Sequence, residues 1–214
     1  MTKLRVAILV SGRGSNMAAL IDAALDPDYP VEIVAVVSNR PGAGALAIAS
    51  QAGVATAVVD HRSFPNREAF DSELDRTIRS FEPDVVCLAG FMRLLTAGFI
   101  ESWAGRLINV HPALLPSFKG LDTHARALAA GVKLHGCTVH LVTLDVDSGP
   151  IIAQAAVPVL TDDDEATLAA RVLKAEHELF PRALALWATG RARLDGDRVL
   201  IKDENAPGEA LVWP

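Results

Sequence analysis

Leu4-Arg5-Val6-Ala7-Ile8-Leu9-Val10-Ser11-Gly12-Arg13-Gly14-Ser15-Asn16 runs from an apolar block through a glycine-bracketed turn into an amphipathic stretch that continues to Leu25. A near-continuous apolar run is what a strand covered on both faces requires, and such strands belong to parallel sheets flanked by helices. The glycines allow a tight strand-to-helix turn. Ser15 and Asn16 add side-chain donors at a helix start, where an anion is favoured. Two readings of this turn stand open: an ordinary capped connection and a phosphate cradle. Met17 occupies the third-glycine position of a dinucleotide fingerprint. The second strand ends Ser38-Asn39-Arg40, without the acid that holds an NAD ribose, and no Gly-Lys-Ser/Thr occurs. A single phosphate fits better than a dinucleotide or a triphosphate.

The alternation continues downstream. Strands are expected at Val31 to Val37, Val54 to Val59, Val85 to Ala89 and Leu107 to Val110. Helices are expected at Ala43 to Ala52, Asn66 to Phe81 and Thr96 to Trp103. This order predicts an α/β fold with a doubly wound, mostly parallel sheet. After Pro112 the pattern changes: a Pro-containing loop to Gly120 and a short helix Thr123 to Ala130 are followed by strands Thr138 to Val142 and Ile151 to Val157. The connection between these two strands is too short for a crossover helix, so the pair is antiparallel. A long helix follows, Asp164 to Trp187, with Asp162 to Asp164 at its positive end and Gly190 as its stop. Asp195-Gly196 then marks a small hairpin. No linker or repeat divides the 214 residues, so one domain is expected.

Composition narrows the function. Half of the residues are hydrophobic, 21% are charged and the net charge is −6. That balance supports a packed core and argues against a broad nucleic-acid surface. Val6 to Val10 is too short for a signal peptide or a membrane span. The two cysteines, Cys87 and Cys137, form neither a disulfide framework nor a zinc motif, which makes the cytoplasm the expected compartment. Oligomeric state is not encoded in these patterns, and a homodimer stays open.

Chemistry concentrates at Leu107-Ile108-Asn109-Val110-His111-Pro112. Alternation along a strand sends Asn109 and His111 to the same side of its carboxyl end, where open α/β sheets bind ligands. An amide donor beside an imidazole suits an oxygen that gains negative charge. Asp147, in the turn Asp147-Ser148-Gly149-Pro150, is either a turn former or, if it faces His111, a carboxylate that favours the imidazolium form. On the long helix, Leu168, Val172, Ala175, Leu179, Phe180 and Ala183 share one apolar arc. Glu176 falls inside that arc, where a carboxylate is costly unless it is paired or used. His61, His135 and His177 read as surface residues, His140 as a core histidine and His124 as a visitor to the site. No close-spaced set supports a metal site, and no nucleophile elbow is present.

In combination these segments resemble the phosphoribosylglycinamide formyltransferase family. The resemblance rests on Gly12-Arg13-Gly14-Ser15-Asn16, on Leu88 to Leu95, on Ile108 to Pro116, on Gly136 to Pro150 and on Ala175-Glu176-His177. It implies transfer of formyl from 10-formyltetrahydrofolate, a co-substrate, to the amine of glycinamide ribonucleotide, with no metal. It further implies Asn109, His111 and Asp147 as the catalytic trio, Gly14, Ser15 and Asn16 as the phosphate loop, and Glu176 as a ribose ligand. Arg67, Met92, Arg93, Leu94, Leu95, Asn109, Thr143, Leu144, Asp145, Val146 and Asp147 are implied as the folate contacts. Residues 1–110 then form the phosphate-binding half and 111–214 the folate-binding and C-terminal half. The loop Ser117 to Asp122 is often mobile in the family, and Asp122 stands where some relatives carry histidine. The alternatives are a formyltetrahydrofolate deformylase, disfavoured because the first strand begins near residue 4 and leaves no room for a regulatory module, and a methionyl-tRNA formyltransferase, disfavoured by the acidic balance. A nonenzymatic nucleotide-binding module is a third.

Overall fold

The computed structural model describes residues 2–202. Seven strands, β1 (Leu4–Val10), β2 (Val31–Ser38), β3 (Thr56–Val58), β4 (Val85–Leu88), β5 (Leu107–His111), β6 (Leu134–Leu141) and β7 (Ile151–Pro158), follow the order β3-β2-β1-β4-β5-β6-β7, and a separate pair is formed by β8 (Ala192–Asp195) and β9 (Arg198–Ile201). The expected α/β class is observed. The described residues fall into two compact units: one runs to Asn109 and includes Leu141–Leu144, and the other comprises Val110–His140 and the residues from Asp145 onward.

In the first unit, β1 (Leu4–Val10) pairs in parallel with β2 (Val31–Ser38) and with β4 (Val85–Leu88). β3 (Thr56–Val58) lies outside β2, and β5 (Leu107–His111), whose residues up to Asn109 belong to this unit, pairs with β4, also in parallel. β3 is shorter than the expected Val54 to Val59. Its residues are not fully buried, as befits an edge. The last five residues of β1 are completely buried, which accounts for the unbroken apolar run. The helices α1 (Ser15–Ala24), α2 (Gly44–Gln51), α3 (Arg67–Arg79) and α4 (Ala97–Ser102) fill the intervals. Asn66 and Thr96 cap α3 and α4, accepting hydrogen bonds from Ala69 N and Phe99 N. Phe70, Leu74 and Ile78 of α3 pack with Phe99 and Trp103 into one apolar cluster. The Trp103 indole N–H donates to Asp75 Oδ1 at 2.7 Å, so the buried ring keeps its polar atom satisfied.

The second unit holds α5 (Thr123–Ala129), the antiparallel strands β6 (Leu134–Leu141) and β7 (Ile151–Pro158), and α6 (Glu165–Ala188). β6 begins four residues before the expected Thr138. Asp164 and Thr167 form a reciprocal capping box at the start of α6. Asp163 takes both guanidinium nitrogens of Arg171, at 2.6 and 2.8 Å, and this pairing holds its carboxyl well below the usual range. β8 (Ala192–Asp195) and β9 (Arg198–Ile201) form the hairpin, joined by Gly196 and Asp197. Gly196 has φ 57° and opens the two-residue loop, where a primed turn requires a positive φ.

Candidate active site

In the first unit, Gly14 adopts φ 82° and is the N-cap of α1. Glycine is required there twice over, because a Cβ would also lie 2.5 Å from the Ala45 Cβ. No side chain caps α1, so the cap expected from one reading of the loop does not form. Ser15 and Asn16 are its first two residues, and the first-turn N–H groups have no carbonyl one turn earlier to bond. Arg67 begins α3 and is exposed. Met92 and Leu94 are 63% and 61% exposed, and Leu144 is 57% exposed; Leu95 is half-buried, and Thr143 is exposed. Large apolar side chains left exposed in this way are not part of the core. The Arg93 guanidinium lies 5.2 Å from the Phe70 ring centroid, and its Nε is buried with no acceptor among the described residues. Asn109, half-buried on β5, is in register with Leu88 of β4.

In the second unit, His111 and Asp147 meet. His111 Nδ1 is 3.3 Å from Asp147 Oδ2, and His111 is 6% exposed. Its Nε2 is 3.0 Å from the Phe118 carbonyl. A carbonyl only accepts, so Nε2 carries a proton. With a carboxylate facing Nδ1, the doubly protonated ring satisfies both contacts. Asp147 itself has φ 48°, a conformation that Asp and Asn tolerate best among non-glycine residues. Its Oδ2 also accepts a hydrogen bond from Gly120 N at 2.9 Å. Asp145 and Val146, just before it, are exposed.

His140 is the residue that sequence reasoning left outside the site. It lies on β6, 2% exposed, with Nε2 3.7 Å from Asp147 Oδ1, so one carboxylate faces two imidazoles. His135 corrects another expectation: it is not on the surface but 1% exposed, edge-on to the rings of Phe118 and His124. Burial, with His124 and His111 nearby, pushes its pKa down to about 4. His135 therefore stays neutral in the range where an ordinary histidine would titrate.

The turn after His111 is braced from β6 and β7. Thr138 Oγ1 donates to the Ala113 carbonyl at 2.7 Å and accepts from Leu115 N at 3.0 Å and Gln154 Nε2 at 2.9 Å. Gln154 Nε2 also donates to the Leu115 carbonyl at 2.9 Å. The buried hydroxyl thus uses its one donor and both acceptor positions, which fixes the backbone that follows His111.

Glu176 is 5% exposed on the core-facing stripe of α6, as its helical position required. Burial, reinforced by the Glu176 charge, pushes the Cys137 thiol up to about 12. Among the described residues no three His, Cys, Asp or Glu side chains are grouped to hold a metal ion. No helix of the described residues is long and apolar enough to cross a membrane.

Residues 4–184 match the formyl transferase family. The chain is 42% identical over 204 residues to phosphoribosylglycinamide formyltransferase of Escherichia coli, covering 95% of this chain and 96% of that one. It is 52% identical over 190 residues to the trifunctional purine biosynthetic protein adenosine-3 of Drosophila melanogaster, covering 88% of this chain but spanning only 14% of that protein. The crystal structure of glycinamide ribonucleotide transformylase 1 from Symbiobacterium toebii superposes with a TM-score of 0.91 at 43% identity, covering 94% of this chain and 95% of that one.

Proposed function

The chain belongs to the formyl transferase family, and we propose that it transfers the formyl group of 10-formyltetrahydrofolate to the amine of 5′-phosphoribosylglycinamide, a step of purine synthesis. The observation that carries this reading is the buried His111–Asp147 pair, whose geometry favours a cationic imidazole. The amine attacks the formyl carbon, and the carbonyl electrons move onto oxygen to give a tetrahedral oxyanion. The His111 Nε2–H, held here by the Phe118 carbonyl, is the donor offered to that oxygen, and Asn109 supplies an amide N–H. Asp147 keeps the imidazole charged and takes up the amine proton through water. Collapse of the intermediate breaks the bond to the folate nitrogen, which leaves with a proton. No covalent enzyme intermediate is needed, so much of the acceleration comes from holding two substrates together.

The remaining roles follow the same reading. Gly14, Ser15 and Asn16 take the substrate phosphate at the uncapped start of α1. Arg67, Met92 to Leu95 and Thr143 to Asp147 contact the folate, with the buried Arg93 Nε as one of its donors. Both substrates are small molecules; the cysteine usage supports a cytoplasmic enzyme, the acidic balance argues against a nucleic-acid partner, and the reading admits a homodimer. The test is tetrahydrofolate release from 10-formyltetrahydrofolate with and without glycinamide ribonucleotide. Release only with the amine is expected. Equal release without it would make the protein a deformylase.

Glu176 accepts hydrogen bonds from the ribose hydroxyls in this scheme. Glu176→Gln keeps the shape and one acceptor oxygen but loses the charge. It is expected to weaken ribonucleotide binding by about 1.5–3 kcal/mol, roughly tenfold to a hundredfold, while folate binding hardly changes. Calorimetry with each ligand checks this. An unchanged ribonucleotide affinity would return Glu176 to a purely structural pairing.

A further inference from the structure

The first unit contains a cavity of about 660 Å³ that the proposed reaction does not use. It is lined by Ser11 to Arg13, Arg40 to Gly44, His61 and Arg62, residues that follow β1, β2 and β3, so it opens at the carboxyl ends of three parallel strands.

Three features give this cavity a chemistry. The first is charge. Arg62 is committed to Asp60, with Nη2 2.7 Å from Oδ2, and this pairing draws the Asp60 pKa down to about 2. Arg13 and Arg40 have no carboxylate partner among the described residues, so the cavity presents two unopposed guanidinium groups. The second is a fixed histidine. His61 Nδ1 is 2.8 Å from the Asn39 carbonyl and therefore donates to it, which fixes the ring. Asn39 is itself held by Ser11, whose hydroxyl donates to Asn39 Oδ1 at 2.6 Å; both residues are nearly fully buried. The third is unexplained glycine. Gly12, Gly42 and Gly44 lack the positive φ that favours glycine. A Cβ on Gly12 or Gly42 would meet nothing within 4 Å, and one on Gly44 only the Arg13 carbonyl at 3.9 Å. Neither backbone conformation nor packing within the chain calls for glycine at these positions. Their missing side chains keep space open beside the arginines.

We infer that this cavity is a second oxyanion subsite, taking a phosphate monoester between Arg13 and Arg40, separate from the start of α1. Guanidinium groups match phosphate oxygens in paired hydrogen bonds. The start of α2 also lacks a side-chain cap; Ala45 N donates to the Gly12 carbonyl and Leu46 N to the Ala43 carbonyl, each at 3.1 Å, which leaves Gly44 N as the first-turn donor at the same mouth. Arg40 at the end of β2 stands where α/β folds of this kind place an arginine for a ribose phosphate.

Calorimetry with ribose 5-phosphate tests the inference on four forms of the protein: wild type, Arg40→Gln, Gly42→Leu and the double variant Ser15→Ala/Asn16→Ala. Two binding events are expected for the wild type. One should disappear in the Ser15/Asn16 variant. The other should weaken at least tenfold in Arg40→Gln and in Gly42→Leu, which fills the open space without forcing a strained φ. Formyl transfer should persist in Arg40→Gln, so failure of this subsite is distinguishable from failure of the proposed reaction. A γ-linked triglutamate serves as the carboxylate competitor. A single event insensitive to Arg40→Gln and Gly42→Leu overturns the inference, as does saturation by triglutamate but not by ribose 5-phosphate.

Discussion

Asp147→Asn is expected to lower kcat for formyl transfer by about 10²–10⁴-fold, the range associated with a positioned acid–base group. The substitution is close to isosteric. Asn is at least as tolerant as Asp of a φ of 48°, so backbone strain cannot account for a loss. An amide oxygen can still accept the hydrogen bond from Gly120 N. What disappears is the negative charge 3.3 Å from His111 Nδ1. The same oxygen faces His111 Nδ1, so an amide that instead turned its NH₂ there would give up the Gly120 hydrogen bond and make the ring accept at Nδ1, neutral, with its one proton on Nε2 toward Phe118. A neutral ring can still donate to the oxyanion but no longer opposes its charge, and the amine proton loses its acceptor. KM for either substrate should change much less than kcat, because the effect belongs to the transition state. Single-turnover kinetics alongside circular dichroism would check this. A kcat within threefold of wild type would remove Asp147 from the mechanism and leave His140 as the next group to test, since it faces the same carboxylate at 3.7 Å.

The parts of this arrangement that the sequence exposes are those with a period. β1 and β2 announce themselves as apolar runs because helices cover both faces. Glu176 stands out because a 3.6-residue repeat places it among Val172, Leu179 and Phe180, all buried. β6 has no such signature. Leu134-His135-Gly136-Cys137-Thr138-Val139-His140-Leu141 is buried along nearly its whole length, so polar and apolar residues are inside alike and no alternation survives. That is why its start is read four residues late and His135 is read as exposed. His140 is legible as a core histidine but not as a neighbour of Asp147. That contact joins a strand to a turn, and spacing along the chain does not encode it. The Thr138 brace is hidden for the same reason, since its partners Ala113, Leu115 and Gln154 lie 16 to 25 residues away.

Gly136 has no room for a side chain, and Gly136→Ala is expected to destabilise the protein by about 3 kcal/mol or more, the upper end for overpacking. At roughly 2–4 °C per kcal/mol for a chain of this size, the midpoint of thermal unfolding should fall by about 6–12 °C. Conformation is not the cause, since Gly136 does not have the positive φ that would strain an alanine. The cause is contact. A Cβ would sit 1.9 Å from the Ala155 carbonyl oxygen and 3.0 Å from the carbon that bears it. The third neighbour, Leu114 Cδ2 at 3.0 Å, can rotate away, but a strand carbonyl cannot. Gly136 is paired with Ala156 and Cys137 with Ala155, so relief requires β6 and β7 to part along their ladder. Two residues further along β6, Thr138 holds the turn after His111, and activity should therefore decline well below the new melting point. Gly98→Ala in α4 is the matched control. Its Cβ would meet nothing within 4 Å, and exchanging glycine for alanine in a helix should stabilise by up to about 1 kcal/mol. Differential scanning calorimetry on the two variants decides the matter. If Gly136→Ala melts within 2 °C of wild type, the close approach of the strands at Ala155 is not a constraint on this fold, and glycine at this position must be explained by something other than packing.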